Sequence, residues 1–336
     1  MGKPLRKLYF LLPGTGGKFA CGGLWAELKT LKLAQQICEA EIVTYRQREK
    51  DTLFLDDVLQ QPDLNQIIFV MSWGFDVPKL AKRLQGHQAI YHAHSAEYGF
   101  RLPSSVPIVT VSRNSLGYWG QRSPHALMYY LPNQIGDEFR NLDLNRDIDV
   151  LIQKRKSSEY LMQQLIPALQ KHCNVYVVDH FVEDLGQLFN RAKVYLYDSA
   201  EYWAQQGVSE GFGLQPLEAM ACGCQVFSSV NGGLSDYLDP GFNCHKIAAY
   251  SLNYDLQRIL AIVQQNQPLT LPDSFLAEYR TENILNRLQL ILTEINQFFN
   301  ARSSGDRSDG MIPDLTPMRI WQLRAKRVLQ KLNKRR

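Results

Sequence analysis

Two carboxylates bracket a glycine turn in the stretch Ser209-Glu210-Gly211-Phe212-Gly213-Leu214-Gln215-Pro216-Leu217-Glu218-Ala219-Met220-Ala221-Cys222-Gly223. Pro216 suits the first turn of a helix, where its missing N–H costs nothing. Gly223 suits the position just past a helix end. The stretch therefore predicts a tight loop feeding a helix of about two turns, with Glu210 in the loop and Glu218 one turn into the helix. Free N–H groups at such a helix start favour an anion above Gly213 and Leu214, typically a phosphate. Glu210 and Glu218 are acceptor-only groups on either side of it, which suits a ligand with hydroxyls on both sides of a phosphate. A nucleotide-sugar has that layout.

The run continues through Cys224, Val226 and Phe227 into Asn231-Gly232-Gly233-Leu234-Ser235-Asp236, a second glycine pair followed by an acid. Together these residues resemble the Glu-x7-Glu signature of retaining glycosyltransferases with the GT-B fold, family 4 in particular. The resemblance covers most of residues 8–300 and is strongest over 194–247. It implies that Glu218 holds the donor ribose and Glu210 the sugar hydroxyls, with Gly211, Phe212, Gly213 and Leu214 around the phosphates.

The same resemblance gives three other segments a role. The loop Pro13-Gly14-Thr15-Gly16-Gly17-Lys18-Phe19-Ala20-Cys21-Gly22-Gly23-Leu24 fits a phosphate-cradling P-loop poorly, since Phe19 follows Lys18 where Ser or Thr is required. It is similar to the first GT-B loop, with Gly22 and Gly23 opening a helix near the transferred sugar and diphosphate. In Ile90-Tyr91-His92-Ala93-His94-Ser95, His94 matches the family's strand-end histidine, implied to touch the sugar, although Ser95 stands where the family has Asp. His92 is assigned to a different face. Lys154-Arg155-Lys156 stands where the family has a spaced Arg and Lys that neutralise the leaving diphosphate. Arg155 can fork two phosphate oxygens, while Lys154 or Lys156 acts as a point charge. Which of the three faces inward is not encoded in so compact a cluster.

The chain has 336 residues, 45% apolar and 21% charged, ordinary for a soluble globular protein with two domains. Its longest apolar runs are too short to span a bilayer. Six cysteines are too sparse for a disulfide scaffold, and Cys222-x-Cys224 lacks a second pair at zinc spacing, so buried thiols in a reducing cytoplasm are expected. Net charge is +4, yet residues 318–336 carry eight basic groups and no acid, so removing those eight leaves the rest of the chain at −4.

Strand-like and helix-like segments alternate twice. Leu8–Leu12, Ala40–Thr44, Gln66–Met71, Ala89–His92 and Pro107–Val111 read as strands of a first half. Ile148–Ile152, Asn174–Val178, Lys193–Tyr197 and Gln225–Ser228 read as strands of a second. Leu24 to about Cys38, Leu252–Gln264 and Asp273–Asn300 read as helices. This predicts an α/β chain of two Rossmann-like domains with parallel sheets and a ligand cleft between them, the GT-B architecture. Residues 1–134 form the acceptor-side domain and 135–300 the nucleotide-sugar domain, whose last helix could cross back. Residues 301–317 read as a linker rich in Ser, Gly, Asp and Pro.

In the tail, Trp321, Ala325, Val328, Leu329 and Leu332 share one helical face, with Arg319, Arg324, Lys326, Arg327, Lys331 and Lys334 on the other. That is a basic amphipathic helix, suited to an anionic membrane surface. A helix docked on the body is the alternative. A nucleic-acid partner is not expected, since no binding fold accompanies the basic cluster.

The sequence thus points to a metal-independent, retaining transfer of a sugar from a nucleoside-diphosphate sugar to an unidentified glycan or lipid acceptor. The donor is a co-substrate, and no cofactor is expected. Asp147-x-Asp149 leads into a buried strand and makes a poor metal site. Two rival readings stand beside it: a non-catalytic GT-B module that binds a sugar or partner, and a sugar-nucleotide epimerase or hydrolase.

Overall fold

The computed structural model describes residues 5–248, 251–304 and 315–333. Among them, strands β1 (Lys7–Leu12), β2 (Ala40–Thr44), β3 (Leu53–Phe54), β4 (Ile67–Met71), β5 (Ala89–Ala93), β6 (Ile108–Thr110) and β7 (Met128–Tyr130) form one sheet. Strands β8 (Ile148–Gln153), β9 (Val175–Val178), β10 (Ala192–Tyr197), β11 (Gln225–Ser228) and β12 (His245–Lys246) form another. Their orders are β3-β2-β1-β4-β5-β6-β7 and β12-β11-β10-β8-β9. The strands of both sheets pair in parallel, for example Leu8 with Ala40 and Val194 with Val150.

Helices cover both faces of each sheet, so the central strands are apolar on both sides. β4 and β5 are buried along their whole length, as expected for parallel strands between helical layers. The edge strands β3, β7 and β12 escape sequence reading because two or three residues carry no periodicity.

In such sheets ligands gather where the strand order reverses. The first reversal lies between β1 and β4, beneath the loop 13–21. The second lies between β8 and β10, beneath Lys154–Lys156 and the loop that carries Glu210. Sheet order therefore brings these loops to facing edges of the two domains.

The segment predicted as one helix from Asp273 to Asn300 is two, Asp273–Ala277 and Thr281–Ser303. The break has a purpose. It turns the Tyr279 carbonyl to accept from Ile135 N at 3.0 Å, and Arg280 bonds the carbonyls of Gly136 and Phe139 at 2.7 Å each. The second helix then returns to the first domain. Ile284, Leu288, Ile291, Leu292, Ile295 and Phe299 pack under Leu8, Phe10 and Ile68. Arg6 ties the far end, bonding Asn296 Oδ1 at 3.1 Å and Asn300 Oδ1 at 2.9 Å.

Residues 301–303, read from sequence as linker, are the last turn of this helix, because the backbone ladder and a Ser303 Oγ bond to the Phe299 carbonyl at 2.8 Å continue it. Most of the remaining linker lies outside the described residues. Pro317 opens the tail helix, Pro317–Asn333. Among the described residues no helix is long and apolar enough to cross a membrane.

Candidate donor site between the two domains

The helix Leu214–Ala221 starts behind Gly213, which takes φ +75° as its N-cap. The turn and its crowding both call for glycine there: a β-carbon would meet Leu234 Cδ2 at 2.4 Å. The second glycine pair packs directly on this loop. A β-carbon on Gly232 would lie 2.3 Å from the Glu210 carbonyl, and one on Gly233 2.0 Å from the Gly211 carbonyl. Gly233 N also donates to the Glu210 carbonyl at 2.7 Å. The two glycine segments thus form one rigid platform. Phe212 turns its ring into the core against Tyr237 and Tyr279, leaving its backbone for the site.

Glu210 is 4% exposed. Its Oε2 accepts from Tyr197 OH at 2.5 Å and Trp203 Nε1 at 2.6 Å, with Lys156 Nζ at 3.8 Å. Lys156 also lies 4.4 Å over the Trp203 ring. Its backbone is left-handed, φ +69°, in a turn closed by Ser157 N donating to the Lys154 carbonyl at 3.2 Å. Such a backbone costs a non-glycine residue about 1–2 kcal/mol. It is what directs this ammonium toward Glu210, while Lys154 and Arg155 are exposed. The structure thus brings Lys156, and not the other two, to the signature loop.

Glu218 is 5% exposed; no protein group among the described residues donates to its carboxylate, which keeps slight contact with solvent. Burial pushes its pKa up to about 7. Lys29, across the cleft on the first helix, draws it down, and Glu138 pushes it up. A carboxylate kept unpartnered at this depth is costly unless something donates to it. Leu214, at the start of the same helix, and Lys29, with Thr30, Pro132 and Asn133, line a cavity of about 10 Å³. This holds about one water.

Gly22 and Gly23 open the helix Gly22–Ala34 and are exposed. A β-carbon on Gly22 would meet nothing within 4 Å and one on Gly23 only Cys21 Sγ at 3.9 Å. Packing does not demand glycine at either.

His94 lies just past β5, with its carbonyl against Gly211. Its Nε2 is 2.7 Å from Glu27 Oε2, and His92 Nδ1 is 2.5 Å from the same oxygen. The assignment of His92 to another face is therefore wrong: residues two apart in an extended strand share a face. Burial would raise the Glu27 carboxyl, but His92 and His94 outweigh it and hold the pKa at about 2. Burial, then the neighbouring His92, push His94 down. Each imidazole therefore donates a ring N–H to one ionised oxygen. Glu27 Oε1 and His92 Nε2 stay buried without partners.

Glu27, His92 and His94 are the metal-capable trio among the described residues, their ligand atoms within 4.8 Å of one another. Their 2.5 and 2.7 Å contacts are hydrogen-bond lengths, whereas nitrogen and oxygen ligands around a tetrahedral zinc stand about 3.3 Å apart. Asp147 and Asp149 are engaged by Arg191 at 2.5 Å and Lys193 at 2.7 Å.

The domains are latched around this site. Ser95 Oγ donates to the Ser209 carbonyl at 2.5 Å, and Ala96 N to Ser209 Oγ at 3.2 Å. Asp236 accepts from Arg113 N at 2.5 Å and Asn114 N at 3.3 Å. It thus caps, from the other domain, the start of the helix Arg113–Arg122. Sequence reading missed Glu27, Lys29, Tyr197 and Trp203, whose partners lie on other elements.

Residues 135–260 match the family model described as "Glycosyl transferases group 1". Among solved structures, the chain is similar to Anabaena HepE in complex with UDP-glucose, at 16% identity and TM-score 0.54, over 89% of this chain and 99% of that one. It is also similar to sucrose-phosphate synthase from Thermosynechococcus elongatus (14% identity, TM-score 0.58, 89% and 99% covered). A third likeness is to a glycosyltransferase from Rickettsia africae (11% identity, TM-score 0.60, 87% and 98% covered). These likenesses show the GT-B fold. No curated protein matches the chain.

Proposed function

We propose that this chain is a retaining glycosyltransferase that moves a sugar from a nucleoside-diphosphate sugar to an acceptor held in the cleft, without a metal ion. The observation that carries this is Glu218: a buried carboxylate with no protein donor among the described residues, one turn inside a helix whose first residue, Leu214, lies against Ala26 and Lys29 of the other domain. Ribose hydroxyls would supply the donors it lacks. Glu210 would orient the sugar through Oε1, since Tyr197 and Trp203 already occupy Oε2. The N–H groups at Gly213 and Leu214, with Lys156, would stabilise the departing diphosphate. Lys154 and Arg155 would serve only if that turn rearranged. Gly22 and Gly23 would leave room for the sugar, and His94, steadied by Glu27, would meet it. The match to group 1 glycosyltransferases over 135–260 supports this reading, and UDP is the first base to test because HepE was solved with UDP-glucose.

Retention rests on the resemblance to the Glu-x7-Glu enzymes, and Glu210 would then orient the donor and not attack it. The leaving phosphate oxygen would take the acceptor proton on the same face. All six cysteines are free, which supports a reducing, cytoplasmic setting. Incubating the protein with UDP-, GDP- and ADP-sugars and following the released or transferred sugar by NMR tests the proposal. Early appearance of the donor's own anomer supports retention, and the opposite anomer refutes it. One observation favours a binding module instead: a single basic side chain reaches the loop. Nucleotide binding without turnover of any donor would select that reading, and epimerisation without transfer would select an epimerase.

A further inference from the structure

The tail helix Pro317–Asn333 carries its apolar stripe in the open. Met318 is 67% exposed, Trp321 70%, Val328 57%, Leu329 61% and Leu332 57%. Only Ala325 on that stripe is half-buried. Docking on the body, with the charges turned to solvent, would have buried these side chains, so that alternative fails. Arg319, Arg324, Lys326, Arg327 and Lys331 lie off the stripe, interspersed with Ile320, Gln322, Leu323 and Gln330, and no acid occurs from Leu315 to Arg336.

We propose that this helix lies on an anionic lipid bilayer surface and holds the enzyme there. The choice of occupant rests on charge and shape together. A second copy would meet the apolar stripe but bring eight like charges against eight. Nucleic acid would meet the charges and leave Trp321, Val328, Leu329 and Leu332 in water. A bilayer of acidic lipids satisfies both faces: the stripe sinks to the acyl boundary, and Arg and Lys stems reach along it to the headgroups. Trp321 sits on the stripe, where its amphipathic ring suits that boundary. The inference is independent of the donor-site reading.

The test is co-sedimentation of the full chain with vesicles of phosphatidylcholine alone and of phosphatidylcholine with phosphatidylglycerol. Binding is expected to the acidic vesicles only, to weaken with salt, and to fall about fivefold for each basic residue neutralised, as in Lys326→Gln and Arg327→Gln. Trp321→Glu with Leu329→Glu should abolish it while circular dichroism and melting of the body stay unchanged, since both side chains are exposed. Equal binding to neutral vesicles, binding that survives the double substitution, or no binding to either overturns the proposal. So does self-association by light scattering that Leu329→Glu removes, or tighter retention on duplex DNA than on acidic vesicles.

Discussion

Gly211 faces the carbonyl of His94 across the domain boundary so closely that a β-carbon would lie 1.5 Å from that oxygen. The obstacle is backbone, not the end of a flexible side chain, and Gly211 takes no positive φ. Glycine is therefore demanded here by the closed cleft and not by the local turn.

Gly211→Ala should leave each domain folded and stop the two from closing. Small-angle scattering should show a larger radius of gyration. The catalytic efficiency with any donor should drop about a hundredfold or more, because the reacting groups would be displaced by about an ångström. An unchanged radius with unchanged turnover would mean that the closed arrangement is not the working one.

Glu218 makes a pH-dependent prediction. Its pKa is raised from an ordinary 4.5 to about 7, by burial first. The folded state then holds the proton more tightly than the unfolded one. The stability this confers is full below about pH 4.5 and is lost as pH rises through about 7. Glu218→Gln cannot ionise, so it should be more stable than wild type at pH 8, by about 3 kcal/mol, and little different at pH 4. Urea unfolding at the two pH values reads this out. A variant that tracks wild type at both would remove the buried carboxylate from the account.

Glu27 predicts the opposite window. Its pKa is held at about 2 by His92 and His94 against burial. The stability gained is present above the unfolded value near 4.5 and lost as pH falls toward 2. Glu27→Gln should unfold more easily at pH 7, by about 3–5 kcal/mol for a broken buried pair, with the difference narrowing in acid. Added Zn²⁺ should not raise the wild-type melting temperature. A large rise that Glu27→Gln abolishes would make the trio a metal site.

Asp236 joins the domains by accepting two backbone N–H groups of the helix Arg113–Arg122. Asp236→Ala should cost about 1 kcal/mol, as for a lost helix cap. Hydrogen exchange should rise at Arg113 and Asn114 and around Ser209, while the cores of the two sheets stay protected. Uniformly faster exchange would point to general destabilisation.

Much of the fold was legible because its signals are local. β2 and β11 run over the residues read as strands, Ala40–Thr44 and Gln225–Ser228. Gly213 and Gly223 mark the ends of the signature helix by their backbone geometry. The site was legible only as far as single segments allow. Lys156 could not be told from Lys154 and Arg155, because a left-handed turn selects it. The Glu27–His92–His94 trio joins a helix to a strand end, and Lys29 meets Glu218 only across the cleft. Tyr197 ends a strand read from sequence, and Trp203 lies in a segment to which the sequence assigns no element; only the fold turns both onto one oxygen of Glu210.

The central claim is that Glu218 belongs to a nucleotide site, and thermal shift with UDP, GDP, ADP and CMP tests it most directly. A diphosphate at 100 times its dissociation constant should add about 2.7 kcal/mol of stability to the wild type. The account predicts that one of the diphosphates does so and that Glu218→Ala loses most of the shift. A shift of equal size in wild type and Glu218→Ala, or none from any nucleotide, would contradict it.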